Sequence, residues 1–480
     1  MTTRALAATV LIVAAFMDLM DAMITNVALP AIQRDLDASA AQLEWTLSGY
    51  VLAFAALMVT GGRLGDIYGR RNVFLAGVSA FTAASLLAAG AWSGDVLVLA
   101  RVAQGASAAL MVPQVLSSIQ ALFGPDERAP VLGVLAAVGG LGVLAGQLLG
   151  GWLVTVDAFG LGWRSVFVIN VPVGVLLVLA TLRFVPDTRA ERPLRLDLTG
   201  GALATAGLVL LVVPLVEGRE HGWPAWAWAM LAAVPALVAL FVRQQARREA
   251  AGAAALVPTR LFVRRGFAAG LGVQLAFHLG WGSFALVFGL YVQQGLGFTP
   301  LEMGLAMLPI TIGAFAGTAI AAPFAARAGR GMVIVGGLLQ AAAFAWYALV
   351  VDDRGAALSG WDLALPLGFG GVGMILLAVP LMDLTLAAVD GDDAGAASGV
   401  FNTVQQLGSA LGVALVGVVF FGVLGADPSP ARYEDALLAG VGVTMTAFAL
   451  AALAGVLLPA RAARLADPPI PQAEARSEAA

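Results

Sequence analysis

The sequence of 480 residues contains no cysteine and no lysine, and its only histidines are His221 and His278. The absence of cysteine excludes disulfides, zinc–thiolate sites and thiol nucleophiles. The absence of lysine excludes a P-loop, whose lysine reaches the nucleotide phosphates, and it excludes Schiff-base chemistry. Two histidines are too few for a histidine metal cage. We therefore expect no metal, no cofactor, no ATP hydrolysis and no enzyme activity.

Charge is also scarce in this chain. Only 12% of the residues are charged and 60% are hydrophobic, whereas a soluble domain carries about 25% charged residues. Such a chain cannot cover the surface of a soluble protein of this length, so most of its solvent is expected to be lipid. The net charge of -4, without a basic region, indicates that nucleic acid is not a partner.

Long apolar runs are abundant. A membrane-spanning helix needs about 20 predominantly apolar residues, and the sequence contains fourteen such runs. They lie near 5–29, 45–65, 73–92, 96–122, 130–155, 164–185, 197–217, 225–244, 265–293, 301–326, 331–351, 362–388, 396–424 and 436–460. The first run is too long for a signal peptide and contains two aspartates, so we expect it to stay in the protein as a span.

The arginines support this count. With both termini in the cytoplasm, twenty of the 26 arginines lie on the cytoplasmic side, five lie outside, and Arg101 lies within a span. Cytoplasmic loops of membrane proteins are enriched in positive charge, so this bias predicts an even number of spans. We expect a monomer in the bacterial inner membrane with both termini in the cytoplasm.

The segment GGRLGDIYGRR, residues 61–71, follows the second span. It resembles the loop signature of the major facilitator superfamily, G-x-L-[AG]-D-x-x-G-[RK]-[RK]. A degenerate copy, PFAARAGRG, occurs at 323–331, where Gly329 and Arg330 align with Gly69 and Arg70 and Ala326 replaces Asp66. Two copies of one signature are expected when a chain consists of two repeated halves.

Five further stretches resemble the fourteen-helix drug:proton antiporters of this superfamily. They are MDAMITNVALPAI (20–32), LVLARVAQGASAA (97–109), WRSVFVINVPVG (163–174), YVQQGLGFTPLEMGLAMLP (291–309) and GAASGVFNTVQQLGSALG (395–412). The segment GQLLGG, residues 146–151, departs from the family because Gln147 stands where a proline is expected. This departure leaves the antiport signature incomplete.

The resemblance implies an all-α membrane fold with two six-helix bundles and two extra linker helices. The domains would be 1–192, 193–260 and 261–460, followed by a disordered cytoplasmic tail at 461–480. The implied function is proton-driven efflux of small amphipathic molecules, with the proton gradient as the source of energy.

Three ionisable residues lie within the predicted spans. Asp18 and Asp21 are three residues apart on one helical face, and Arg101 lies at a similar depth in the fourth span, so a pair across the helix interface is expected. A charge at the centre of a bilayer costs about 2.5–3.5 kcal/mol, so each needs a reason. We predict that Asp21 is the proton-coupling carboxylate and that Arg101 modulates it; the alternative is a structural ion pair. Asp18 is either a second proton-coupling group or a substrate-binding acid.

The loop signature has a different predicted role. The resemblance implies that Gly62, Asp66, Gly69, Arg70 and Arg71 form a conformational clamp at the cytoplasmic surface, with Asp66 facing the helix N-terminus that begins near 396. The alternative is an anchor made of positive charge alone. The residues predicted to line a substrate cavity are Met20, Met23, Gln104, Met111, Gln147, Gln274, His278, Trp281, Asn402 and Gln406; each is alternatively a packing or interhelical contact.

The leading hypothesis is therefore antiport of protons against amphipathic, cationic drugs or antibiotics. Two alternatives use the same helices: export of lipids or of an endogenous natural product, and a membrane receptor that transports nothing. The receptor hypothesis gives the buried acids and the loop signature no purpose. Resistance to unrelated cationic dyes would distinguish a promiscuous exporter from a dedicated one.

Overall fold

The computed structural model describes residues 3–157, 160–189, 197–253, 255–321, 325–387, 389, 394–425 and 429–460. The predicted tail at 461–480 lies outside these ranges. Within them the regular structure is helical throughout. The helices are α1 (Thr3–Leu36), α2 (Ala40–Tyr68), α3 (Arg70–Ala89), α4 (Gly94–Leu122), α5 (Pro125–Thr155), α6 (Ser165–Val168), α7 (Asn170–Phe184), α8 (Leu198–Glu220), α9 (Ala225–Ala250), α10 (Arg260–Val263), α11 (Arg265–Leu290), α12 (Pro300–Ala321), α13 (Ala325–Arg354), α14 (Ala364–Leu386), α15 (Ala394–Leu424) and α16 (Pro430–Gly455).

Fourteen spans in the described part of the chain are long and apolar enough to cross a membrane, which confirms the predicted number. The sixth span joins a 3-10 turn, α6 and α7, and the ninth continues α11 through a π-helical turn at Tyr291–Gly295. Because successive spans alternate in direction, α1 begins and α16 ends at the same end of the bundle. We call this the terminal end and the opposite one the far end.

Local chemistry determines where α2 begins and ends. At its start, the Ser39 hydroxyl accepts from the backbone N–H of Gln42 and the Gln42 side chain accepts from the backbone N–H of Ser39, which satisfies two N–H groups that the helix leaves open. At its end, Gly69 has φ +95°, a conformation that residues with a Cβ rarely adopt. The loop signature therefore makes a tight turn between α2 and α3.

The helices pack in two sets. In the first, α1 packs on α5 and α7, and α4 packs on α2 and α3; in the second, α11 packs on α15 and α16, and α14 packs on α12 and α13. The sets meet along two seams, one between α2 and α15 and the other between α5 and α12. These seams are the places where the sets could move relative to each other.

Helix α8 packs across the α2–α15 seam. Its Val212 and Val216 are fully buried in an apolar cluster with Leu52 and Ala55 of α2 and Ala414 of α15. Near the far end, the indole Nε1 of Trp45 donates to Glu217 Oε1 of α8 at 2.6 Å. Helix α9 packs on α8 and is largely exposed along its length, as expected for a lipid-facing helix. The extra helix pair is thus attached to the bundle through α8.

Hydrogen bonds join the two sets at the far end. Gln293 Nε2 donates to the Val27 carbonyl oxygen (3.0 Å), Gln294 Nε2 donates to Gln33 Oε1 (2.6 Å), and the Leu301 N–H donates to Thr155 Oγ1 (3.2 Å). Within the second set, the Tyr433 hydroxyl of α16 donates to Gln294 Oε1 at 2.6 Å, so the same amide bonds to both sets. These bonds hold the far end of the bundle closed.

Candidate functional site: a buried polar cluster in the first helix set

The predicted pair between the first and fourth spans is present. The guanidinium Nη1 of Arg101 lies 2.6 Å from Asp21 Oδ2, and both side chains are buried, with 1% and 0% of their surface exposed. The Nε of Arg101 also donates to the carbonyl oxygen of Thr46 in α2 at 3.1 Å. The ion pair therefore connects α1, α2 and α4 in the interior of the first set.

Two amide side chains complete the surroundings of Asp21. Gln104 Nε2 and Asn170 Nδ2 donate to Asp21 Oδ1 at 3.3 and 2.6 Å, and Gln104 Oε1 accepts from Arg101 at 2.9 Å. The Ser85 hydroxyl of α3 accepts from Gln104 Nε2 at 2.9 Å. Hydrogen bonds to ionised partners are stronger than those between neutral groups, so this network, together with the bond from Arg101 to Thr46, joins five helices: α1, α2, α3, α4 and α7.

Asp18 lies one turn from Asp21 and has a different partner. The Tyr50 hydroxyl of α2 donates to Asp18 Oδ1 at 2.5 Å, and both residues are buried. The Tyr50 ring lies beneath the guanidinium of Arg101, with 4.3 Å between the Arg101 Cζ and the ring centroid. Tyr50 therefore touches both the second carboxylate and the cation of the first pair.

The backbone of α4 approaches α2 closely at this cluster. A Cβ placed on Gly105 would lie 2.1 Å from the carbonyl oxygen of Tyr50, and one on Gly61 would lie 2.0 Å from the carbonyl oxygen of Ala109. Real Cβ atoms do not come so near to a carbonyl oxygen. The two glycines permit the close packing that brings Tyr50 to Arg101.

Three residues of this cluster were not predicted from the sequence: Tyr50, Ser85 and Asn170. Asn170 stands inside the WRSVFVINVPVG segment that carries part of the resemblance, and a polar amide within a span is itself a signal of a buried partner. Tyr50 and Ser85 lie in apolar runs with no charge beside them. Nothing in their local pattern distinguishes them from ordinary packing residues.

The predicted cavity residues of the first set fall into two groups. Met20 and Met23 of α1 lie at the contact with Gly146 of α5. Gln147 of α5 reaches the second set, with its Nε2 3.8 Å from the sulfur of Met307 in α12. The other two residues lie inside the first set. Gln104 is fully buried in the polar cluster, and Met111 is fully buried in an apolar core against α3.

The second set brings together fewer of the predicted residues. Gln274 Nε2 of α11 donates to Gln405 Oε1 of α15 at 3.2 Å. The ring Nδ1 of His278 lies 3.2 Å from the carbonyl oxygen of Gln274, one turn earlier in the same helix. Asn402 Nδ2 donates to the carbonyl oxygen of Ser398 in its own helix at 2.9 Å. Gln406 is half-buried on α15.

Trp281 has different neighbours from Gln274 and His278, although it lies in the same helix. Its indole Nε1 donates to Gln340 of α13 at 3.0 Å, and its ring contacts Phe284, Phe344 and Phe448 edge-on, with centroids 5.8–6.1 Å apart. These aromatic rings are fully or almost fully buried. Trp281 thus belongs to the packing between α11, α13 and α16, where edge-to-face aromatic contacts are favourable.

The loop signature contacts its own helix set in this structure. Arg70 Nη2 lies 3.3 Å from Asp66 Oδ1, one turn away. The Arg70 N–H donates to the Thr188 carbonyl oxygen at 2.9 Å, and Arg71 Nη2 donates to that of Leu182 at 2.6 Å. The two arginines therefore cap the end of the sixth span, while Gly62 approaches the ring of Pro113 in α4.

The degenerate copy makes the equivalent contacts in the second set. Arg330 Nη1 donates to the carbonyl oxygens of Val456 and Leu458, each at 3.3 Å, and its N–H donates to that of Ala460. The start of α13 thus caps the end of the last span, as the start of α3 caps the end of the sixth. The repeat inferred from the two signatures is visible in these contacts.

Two sets of membrane-spanning helices related by a repeat, with an ion pair buried between spans of one set, define a polytopic membrane transporter. The profile of the Major Facilitator Superfamily matches residues 11–413, and the chain belongs to this superfamily. The family resemblance stated above is therefore confirmed, and the protein is a multi-pass membrane transporter rather than an enzyme.

Relatives of the chain include antibiotic exporters and resistance proteins. It is 41% identical to a "probable actinorhodin transporter" of Streptomyces coelicolor over 87% of this chain and 72% of the relative. It is 35% identical to a puromycin resistance protein of Streptomyces alboniger over 94% of this chain and 88% of the relative. Among solved structures, a POT family transporter in complex with a thioalcohol-conjugated peptide superposes with a TM-score of 0.69 at 13% identity, covering 93% of this chain and 94% of that one. At that identity the likeness concerns the fold alone.

Proposed function

We propose that this transporter exports small amphipathic molecules of the antibiotic type in exchange for protons. The observation that carries the proposal is the buried cluster of Asp18, Asp21 and Arg101, because two carboxylates and one guanidinium cannot all be ionised without leaving a net charge in the membrane interior. A group that can take up a proton and release it is what coupling to a proton gradient requires.

The same cluster favours a cationic substrate. When both aspartates are ionised the cluster carries one surplus negative charge, which either a proton or a substrate cation can neutralise. The relatives named for actinorhodin and puromycin support export of an antibiotic-type molecule. If one proton exchanges for one monovalent cation, the membrane potential does no net work. One pH unit then sustains a substrate gradient of about tenfold.

Transport in reconstituted vesicles tests this proposal. Purified protein in liposomes should accumulate ethidium, a cationic dye, and puromycin when a pH gradient is imposed, and an ionophore that collapses the gradient should abolish accumulation. Vesicles without protein provide the baseline. Gradient-independent movement in the wild type would contradict proton coupling, and movement of puromycin but never of ethidium would contradict a promiscuous site for cations.

A dedicated natural-product exporter is the second candidate, favoured by the actinorhodin relative. It would use the same cluster and fold but would recognise one compound. Cells that express the protein should then gain resistance to a single antibiotic class and none to cationic dyes, whereas a promiscuous exporter should protect against both.

We place the protein in the cytoplasmic membrane, with the terminal end inside the cell. The chain has no cysteine, so single cysteines report orientation cleanly. A membrane-impermeant maleimide added to intact cells should label Ser429→Cys, in an exposed far-end loop, and should spare Ala251→Cys, in an exposed terminal-end loop. The opposite labelling pattern would reverse the assignment.

A further inference from the structure

The two buried aspartates of α1 share a single cation. Arg101 contributes the guanidinium, and its Nη1 lies 2.6 Å from Asp21. The titratable and charged groups that face Asp18 are Tyr50 from α2, Arg101 from α4 and Asp21 from its own helix. Removing a carboxylate from water without a counter-ion is costly, so one of the two aspartates is expected to be neutral in this conformation.

The surroundings of Asp21 suit an ionised carboxylate. Arg101 and the amide nitrogens of Gln104 and Asn170 all donate to it, and between them they engage both of its oxygens. The orientation of the Gln104 amide is fixed by its other bond, since its Oε1 accepts from Arg101. A protonated Asp21 would leave Arg101 as a buried unpaired cation.

The surroundings of Asp18 suit both protonation states. In the described part of the chain its hydrogen-bond partner is the Tyr50 hydroxyl, 2.5 Å from Oδ1. A hydroxyl can donate to a carboxylate, and after rotation of its own hydrogen it can accept from a carboxylic acid. Asp18 also retains 7% of its surface exposed whereas Asp21 retains none, so Asp18 is the less completely enclosed of the two carboxylates.

We propose that Asp18 is the residue that carries the transported proton, that Tyr50 is its positioning residue, and that Asp21 stays ionised as the fixed partner of Arg101. This assignment rests on the proposed proton-coupled function. It differs from the sequence-based prediction because the proton carrier is Asp18 and not Asp21, the aspartate of the family motif. In the exchange, one proton leaves Asp18 for water as one substrate cation arrives, so the charge of the cluster is the same before and after.

The test compares Asp18→Asn with the wild type in three measurements on ethidium. The first is uphill accumulation in liposomes driven by a pH gradient. The second is counterflow, in which vesicles loaded with unlabelled ethidium take up radiolabelled ethidium without any gradient. The third is proton release on adding ethidium to purified protein in weakly buffered detergent solution, followed with a pH indicator.

We expect Asp18→Asn to lose gradient-driven accumulation and proton release, and to move ethidium by counterflow more slowly than the wild type, because the surplus negative charge of the cluster is gone. Asp18→Glu keeps a carboxylate and should recover all three, which also shows that the losses in Asp18→Asn do not come from a failure to fold. Accumulation and proton release that persist in Asp18→Asn would overturn the assignment. Failure of Asp18→Glu to recover proton release would overturn it as well, because Asp18 would then act through its shape and not through its carboxylate.

Tyr50→Phe removes the hydroxyl and keeps the ring beneath Arg101. We expect this variant to keep counterflow and to release its proton with a shifted dependence on pH, a change that a purely packing role for Tyr50 would not produce; an unchanged dependence would remove Tyr50 from the proposal. A wild type that moves ethidium by counterflow but never against a pH gradient would overturn the proton-coupled function itself, and this outcome is distinct from failure of the Asp18 assignment alone.

Discussion

At the scale of single residues, the first set is held by a polar network around Asp21 and Arg101. Asp21 receives donors from α4 and α7, and Arg101 reaches the backbone of α2. In lipid surroundings these helices gain little from the hydrophobic effect when they associate, so such contacts and close packing determine how they assemble. Replacing one residue of this network should therefore lower the stability of the protein as well as its transport activity.

Replacement of one partner of the ion pair tests this. Asp21→Asn should lower the free energy of unfolding in detergent by about 3–5 kcal/mol, because Arg101 remains as a buried unpaired charge. The double variant Asp21→Asn/Arg101→Gln should recover most of this loss, since neither charge then remains. A double variant as unstable as the single one would show that the pair acts through shape rather than charge.

Asn170 offers a second residue-scale prediction. Asn170→Ala removes a hydrogen bond to an ionised carboxylate and should cost about 1.5–3 kcal/mol of unfolding free energy. Asn402→Ala is the matched control, because its amide donates to a carbonyl of its own helix, and its cost should be no more than about 0.5–1.5 kcal/mol. Equal losses in the two variants would contradict the special position of Asn170 beside Asp21.

At the scale of helices, glycine decides how closely α2 and α4 approach. Gly105→Ala should destabilise the protein by roughly 1–3 kcal/mol, because the new methyl group would overlap the Tyr50 carbonyl oxygen and force the helices apart. Gly272→Ala in α11 is the control: its position is open, so the change should be neutral or stabilising by up to ~1 kcal/mol through helix propensity. Denaturant unfolding of the purified variants measures both.

The two copies of the loop signature lead to a prediction about Asp66. Arg330 caps the last span of its set as Arg70 and Arg71 cap the sixth, although the second copy has Ala326 where the first has Asp66. The caps therefore do not need the acid, which supports a separate role for it as a clamp. A carboxylate at a helix N-terminus is worth up to about 2 kcal/mol, so its loss would shift a closed–open equilibrium by up to about thirtyfold.

Asp66→Asn should accordingly slow ethidium efflux by about tenfold, the shift that ~1.4 kcal/mol produces, while the unfolding free energy changes little. Arg330→Gln should do the reverse, weakening the end of α16 with less effect on the transport rate. Efflux at the wild-type rate in Asp66→Asn would leave the loop as an anchor made of positive charge.

The helices could be predicted from the sequence more completely than the residues of the candidate site. Apolar length and the arginine bias predicted the fourteen spans, because every span must satisfy its own backbone hydrogen bonds in lipid and is therefore a long apolar helix. The pair of Arg101 with Asp21 was also predictable, because a charge buried in the membrane needs a partner of opposite charge. The sequence alone could not predict that Trp281 packs among the aromatic rings of Phe344 and Phe448. Which neighbouring helix a side chain faces depends on residues that are distant in sequence. Tyr50 was missed for the same reason.

At the scale of the whole molecule, the far-end bonds define one conformation of a moving bundle. A disulfide there should lock it. Gly151 and Thr155 of α5 both approach the backbone of Leu301, with a Cβ on Gly151 only 2.6 Å from the Leu301 Cα and the Thr155 Oγ1 3.2 Å from its N–H. The close approach of the two chains is suitable for a cross-link between them.

Oxidised Thr155→Cys/Leu301→Cys should therefore lose ethidium efflux in vesicles and regain it on addition of a reductant. Each single variant should be insensitive to oxidant, because the wild-type chain has no cysteine to pair with. Full efflux from protein shown to be cross-linked would mean that the far end does not open during transport.

Helix α8 has a consequence for molecules that arrive dissolved in the bilayer. Such a molecule would reach the space between the two sets along one of the seams, and α8 covers the seam between α2 and α15. At the seam between α5 and α12, Gln147 meets the sulfur of Met307, an amide beside a polarisable thioether. If hydrophobic molecules enter laterally from the bilayer, they would do so along the α5–α12 seam, past the glutamine that replaces the expected proline.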